Sequence, residues 1–161
     1  MLLKSWPQVR DGVLRAKTWN CCKKRVLLDP AAGVPAYEYS NRFAKPADWL
    51  RTIQAGKDRQ ELAYRDEGGF IIANVAKLPL LYIFRNTEAA TYDALLVEVL
   101  TLSVAARSAY AITKSAAQQQ NVMTMLREAN MRAGSVDGQD DGPEDLGTYD
   151  TLNARLAGGT A

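Results

Sequence analysis

Histidine is absent from the 161-residue chain. That removes the commonest general base, the base of a catalytic triad and the commonest metal ligand together. Cysteine is nearly absent too: Cys21 and Cys22 are the only two, and they are adjacent. Such a spacing suits neither a zinc site nor a disulfide framework, so the pair reads as small core residues, with a reactive thiol as the alternative. No uninterrupted apolar run approaches the ~20 residues of a membrane span, and the N-terminus lacks an apolar segment ending in a small-residue cleavage site. The expectation is a chain made and kept in a reducing cytoplasm, without a membrane anchor. No catalytic pair of carboxylates is visible either. Asp48, Glu61 and Asp93 stand singly, with no metal-ligand cluster beside them, and Gly68-Gly69 has no Lys-Ser or Lys-Thr after it to make a phosphate loop. An enzyme is therefore the least favoured class, and neither cofactor nor metal is expected.

What remains is an ordinary globular composition, 47% hydrophobic and 24% charged, at a length that suits one domain burying roughly 70% of its unfolded surface. Net charge is only +2, but it is unevenly placed. Lys4, Arg10, Arg15, Lys17, Lys23, Lys24 and Arg25 face Asp11 alone in the first 25 residues. From Gly134 onward, Asp137, Asp140, Asp141, Glu144, Asp145 and Asp150 face only Arg155. This polarity suits solvated surfaces, contact between copies of the chain, or a basic surface near DNA.

The stretch from Leu78 to Thr113 organises the rest. Leu80 to Arg85 reads as a strand, introduced by Pro79 and closed by Asn86-Thr87. From Glu88 the period changes, and Tyr92, Leu95, Leu96, Val99, Leu102, Ala106 and Ala109 form one stripe of a long core helix. Ahead of it, Ser5-Trp6-Pro7-Gln8 has the form of a helix start with a capping box, and Trp6, Val9, Val13 and Ala16 share a face. Tyr37, Tyr39, Phe43 and Trp49 are interleaved with Arg42, Lys45 and Arg51. Aromatics that pin an irregular segment to a core explain this better than a single-stranded nucleic-acid platform does. Leu62–Arg65 and Phe70–Asn74 flank Asp66-Glu67-Gly68-Gly69, a hairpin signal; its strands are expected to meet Leu80 to Arg85 in one three-stranded antiparallel sheet. Ser115 and Gln118 open a last helix, antiparallel to the central one, which Gly134 closes as a cap. The fold class that follows is α+β, mainly α. It is a helical bundle with a small antiparallel hairpin or sheet as an insertion at about 60–85, forming one domain over 1–133 and followed by an extended C-terminal arm over 134–161.

The order of motifs resembles that of the tail tubular protein A family, the head-to-tail adaptors of short-tailed bacteriophages. The residues that carry the likeness are Trp19-Asn20 after a helix with Arg10 and Leu14, Lys24-Arg25-x-x-Leu28, Tyr37-x-Tyr39, and Pro46-x-Asp48-x-Leu50-Arg51. They continue with Leu81-Tyr82-Ile83, Tyr92-Asp93-x-Leu95, Ala105-Ala106 and Thr113-x-Ser115, so that the likeness covers about residues 6 to 133. The resemblance implies a structural virion protein: a homo-oligomeric ring, usually a dodecamer, assembled in the host cytoplasm and seated at the head-tail junction. Its partners would be the portal protein above and the tail nozzle protein below, with tail fibres as a further partner and DNA passing through the channel without specific binding. Relatives generally carry another helix before the segment matching Pro7 to Trp19, and here the sequence departs from them. Trp19, Tyr37, Tyr39, Pro46, Asp48, Leu50, Arg51 and Tyr82 are the family-motif residues. The hairpin tip Asp66, Glu67, Gly68 and Gly69 is expected to face the tail or a neighbour.

The arm is Gly-, Asp- and Thr-rich, with Leu146, Tyr149, Leu152 and Leu156 spaced three, three and four apart. These four read as anchors that dock on the portal or an adjacent subunit. The rival reading is a small nucleic-acid-binding helical protein, whose affinity would fall steeply with salt. Elemental analysis of the purified protein is expected to find no stoichiometric zinc; one equivalent per chain would contradict the reading of the cysteines and carboxylates.

Overall fold

The computed structural model describes residues 2–57 and 62–140. Helices α1 (Leu2–Ala16), α2 (Ala94–Thr113) and α3 (Ala116–Asp140) lie on one side of a sheet, and a second sheet lies on the other. The strands are β1 (Lys23–Leu28), β2 (Asn41–Ala44), β3 (Trp49–Ala55), β4 (Tyr64–Glu67), β5 (Phe70–Ala73) and β6 (Leu78–Phe84). The first sheet runs β1-β6-β3 and the second β2-β5-β4, with every pair antiparallel.

Strand β6 sits between two cores. Leu78, Leu80 and Tyr82 point towards the second sheet, where Phe43, Ile71 and Ala73 meet them. Ile83 points the other way, into a cluster with Leu14, Trp19, Leu96, Val99, Leu100 and Ala129. A strand covered on both faces cannot alternate apolar with polar, which is why LPLLYIF reads as an unbroken run. Beside it, β3 changes register between Trp49 and Arg51 and again between Thr52 and Gln54. These irregularities let Leu50 and Ile53 join the helical core while Trp49 and Ala55 join the inter-sheet core.

A helical bundle is not what forms. The molecule is a mixed α+β fold in which strands begin at Lys23 and run to Phe84, well beyond an insertion at 60–85. The hairpin does not pair with β6, because both edges of β6 are already taken by β1 and β3. It pairs instead with the four-residue β2, in the register Arg42↔Ile72 and Phe43↔Ile71. Its own strands lie at 64–67 and 70–73, joined by Gly68 and Gly69 at φ +54 and +87, the positive values that a two-residue turn demands. Three cations at the start of β1 hide a strand that lies on the edge of its sheet, where charge is tolerated.

The helices also differ in detail. α1 begins at Leu2, so Pro7 lies inside it and Ser5 does not cap it. α2 begins at Ala94 under an Asp93 cap, whose carboxylate accepts from Leu95 N at 2.8 Å, and Ala89–Thr91 form a 3-10 turn before it. Lys114 at φ +54 ends α2, and Ser115 Oγ accepts from Gln118 N at 3.3 Å to open α3 as an antiparallel partner. α3 then runs through Gly134 rather than stopping there. A side chain at Gly134 would meet Lys17 Nζ at 3.1 Å, so the residue permits close approach and does not act as a cap. By length and composition α2 is apolar enough to cross a membrane, although Glu98 and Arg107 break its run. Its buried side, Leu96, Val99 and Leu100, belongs to the helical core.

Phe43→Ala removes a fully buried ring from the inter-sheet core. The expected cost is about 3–5 kcal/mol, read as a lower denaturation midpoint. Val34→Ala, at a position 75% exposed, should change it by less than about 0.5 kcal/mol.

Candidate functional site

Most of the motif residues converge where α1, β1, β3 and β6 meet. The turn before β3 is closed by Trp49 N donating to Pro46 O at 2.9 Å. It sets Asp48 beside β6, where Tyr82 Oη donates to Asp48 Oδ1 at 2.9 Å and Lys24 Nζ donates to Oδ2 at 2.8 Å. Arg85 N adds a bond to the Asp48 carbonyl at 2.6 Å. Burial opposes ionisation of Asp48, but the bonds from Lys24 and Tyr82 outweigh it and hold the carboxyl below its usual range. Burial, and then the adjacent carboxylate, push the Tyr82 phenol up. Leu50 is buried in the helical core, and Arg51 Nη2 donates to Thr18 Oγ1 at 2.9 Å. Trp19 is buried, and its Nε1 donates to Val13 O at 3.1 Å. These residues form a structural joint between the helices and the first sheet.

Tyr37 and Tyr39 lie elsewhere. They line a cleft of about 420 Å3 together with Arg42, Glu67, Gly68 and Phe70, so they share a surface with the hairpin tip. All four tip residues, Asp66 to Gly69, are exposed, and Lys45 forms an ion pair with Asp66. The expectation that aromatics pin the segment holds for Phe43, which is fully buried, and for Trp49, which is half-buried beneath Lys45 and Arg15. It does not hold for Tyr37, which is 76% exposed. Arg42 stacks over Phe70 at 4.7 Å rather than over a neighbouring tyrosine. Arg42 thus lies over Phe70, and Lys45 and Arg15 over Trp49, while Tyr37 stays open.

The helical side carries exposed apolar side chains of its own. Val97, Tyr110 and Ile112 of α2 and Met125 and Met131 of α3 are exposed, and Trp6, Tyr92, Val97, Leu100 and Val104 line a shallow apolar cavity of about 390 Å3. The sequence stripe identified the inner face of α2 but gave no signal that its outer face is apolar too. The arm anchors Leu146, Tyr149, Leu152 and Leu156 lie outside the described residues.

Two further groups were not singled out from sequence. Asn86 is buried and saturated: Nδ2 donates to Cys21 O at 3.2 Å and to Thr91 Oγ1 at 2.8 Å, and Oδ1 accepts from Glu88 N at 3.0 Å. Asp11 is held between Arg10 and Arg85, each with a 2.8 Å contact. Adjacency of Asn86 to the end of the apolar run was the one available signal. Cys21 Sγ and Cys22 Sγ are in hydrogen-bond contact at 3.8 Å, with no disulfide between them. The Cys22 contact, set against desolvation and helped by the Asp93 backbone at the start of α2, draws the Cys21 thiol below its ordinary range. Among the described residues no cluster of three or more metal-ligating side chains occurs. Compared with protein-family models the chain matches none, and no curated protein matches it.

Because its native pKa is depressed, Asp48 stabilises the fold fully above its unfolded pKa of about 3.9, and the contribution is lost as pH falls through the lower native value. The stability advantage of wild type over Asp48→Asn should therefore be constant above about pH 5 and shrink on acidification. An advantage that grows as pH falls would contradict the assignment.

Proposed function

We propose that the chain is a structural head-to-tail adaptor of a short-tailed bacteriophage, a ring subunit that joins the portal to the tail nozzle and continues the DNA channel. The observation that supports this reading is that apolar side chains stand exposed on the helical layer while an acidic tip stands exposed on the sheet at the other side. The helical side offers Val97, Tyr110, Ile112, Met125 and Met131. The far sheet offers an acidic tip beside Tyr37 and Tyr39. Exposed aliphatic and thioether side chains on two adjacent helices are what a protein partner covers, and a head-to-tail ring requires each copy to present two unlike surfaces. The ordered family motifs from Trp19 to Ser115 point the same way. Of these, Trp19, Asp48, Leu50, Arg51 and Tyr82 meet in the joint between helices and sheet.

DNA in this reading is a passenger. Of the basic residues near the front, Lys24 is paired with Asp48, Arg10 with Asp11, and Arg15 with the Leu50 carbonyl at 2.5 Å. A channel that gripped phosphates would resist passage of a moving duplex, since each retained contact adds a salt-dependent affinity.

Particle mass and symmetry, measured by electron microscopy with and without portal-bearing heads, test the proposal. The expected result is a ring of identical subunits around a hole. Val97→Asp, at a position already 46% exposed, should leave helix content unchanged and abolish the ring. A monomer that binds duplex tightly at physiological salt would instead establish the nucleic-acid-binding alternative.

A further inference from the structure

The helix-facing side of the first sheet is covered along only part of its length. Ile83 enters the helical core, but Leu81 and Pro79, the next residues of β6 on that face, belong to neither core. On β1, Val26 and Leu28 pack between the sheets, and Leu27, which alternates with them, is 54% exposed. The register sets Leu27 opposite Pro79, and Arg25 and Gln54 on either side of Leu81. These residues and Lys57 line an open trough of about 320 Å3. We propose that this trough receives the acidic hairpin corner of a second copy, with Tyr37 seated on Leu27, Pro79 and Leu81, and with Glu38 and Glu67 meeting Arg25 and Lys57. The inference rests on the reading of the chain as a ring subunit and names what its acidic tip meets.

Charge selects the occupant. Arg25 and Lys57 are the only charged side chains on the trough lining, both are exposed, and among the described residues neither meets a carboxylate. The corner made by Tyr37, Tyr39 and the hairpin tip has the opposite character. Glu38 and Glu67 are exposed there and enter no ion pair among the described residues. Arg42, the one cation on that cleft, donates from Nε to the Ala32 carbonyl at 2.6 Å and lies over the Phe70 ring. An apolar trough flanked by cations thus matches a tyrosine, 76% exposed, flanked by carboxylates. A ring with an apolar body and a polar tip suits a socket that is apolar at its base and open at its rim. The complementary charges speed the encounter and fix its register.

One chain cannot make this contact with itself. The corner stands on the Phe70 and Ile72 side of the second sheet, which is turned away from Ile71, Ala73 and the inter-sheet core. The trough lies on the helix-facing side of the first sheet. Both sheets and the core between them separate the two, so the partner is another copy. Because the surfaces are unlike, the contact is head-to-tail. Each copy offers its trough to one neighbour and its corner to the next, which is the arrangement that closes into a ring.

Charge reversal on the two sides tests the contact in the full chain. Arg25→Glu with Lys57→Glu reverses the trough, and Glu38→Lys with Glu67→Lys reverses the corner. All four positions are exposed, so the circular dichroism of both variants should match that of the wild type. In sedimentation at chain concentrations up to millimolar, wild-type association should weaken with added salt. Each variant alone should associate about tenfold or more weakly than the wild type, because like charges then face each other. Mixed in equal amounts, the two variants should recover the association, since each trough then meets a corner of opposite sign. A chain carrying all four substitutions should recover it as well, for the same reason. Variants that associate alone as strongly as the wild type, a mixture no larger than its components, or a wild type that stays monomeric throughout would overturn the proposal. Electron microscopy of portal-bearing heads separates this contact from the adaptor reading. Rings formed there equally well by either variant alone would remove the contact and leave the adaptor, whereas recovered association in solution by a protein whose wild type never attaches to heads would support the contact and remove the adaptor.

Discussion

The fold depends on β6 being apolar on both faces. A strand with only one buried face could support either the helices or the second sheet, not both, and the molecule would fall into two weakly joined pieces. With Tyr82 turned to one core and Ile83 to the other, adjacent residues of one strand hold the two layers together. Each fully buried large side chain contributes about 1.5–3 kcal/mol, and each such contribution depends on the same backbone ladder being in place. The neighbouring strands serve this arrangement: β1 and β3 saturate the edges of β6, and the hairpin is left to build a separate sheet with β2.

Polar groups fix how the layers are oriented. Asn86 joins the end of β6 to the 3-10 turn before α2 and to the backbone of Cys21, and Tyr92 Oη donates to the Asn86 carbonyl at 2.8 Å. Asp48 binds β1, β3 and β6 at one corner through Lys24, its own backbone and Tyr82. Such groups add little net stability when satisfied, but leaving one partner unmet in the interior is costly. They therefore select one packing of helices on sheet among several that apolar contacts alone would allow.

Legibility in the sequence followed physical locality. The apolar run at 78–84, the helix behind it, the Ser115 cap and the Gly68-Gly69 turn are each set by residues within a few positions, and each could be read. What was misread required long-range information. Lys23, Lys24 and Arg25 mask β1 because an edge strand needs only one buried face, and the consequence, that β6 has no free edge for the hairpin, cannot be seen from either segment alone. Pro7 suggested a helix start because proline suits the first turn, whereas α1 is held by the packing of Val9 and Leu14. For the candidate surfaces the limit was similar. Periodicity showed which face of α2 is buried, but apolar residues at Val97, Tyr110 and Ile112 look alike in sequence whether covered by the same chain or by none. That Tyr37 and Tyr39 share a cleft with the hairpin tip follows only from the β2-β5 register.

The two register breaks in β3 reach beyond the core. An irregular strand cannot present an even row of donors and acceptors along its outer side, and at the opposite margin β1 begins with three cations. Both margins of the first sheet are thereby poor templates for another strand. Copies of the molecule are steered away from fusing into a shared sheet, whose hydrogen-bonded ladder would set rigidly and could extend without end. Any contact made at these margins is left to side chains, whose fit can be sorted and corrected as a backbone ladder's cannot.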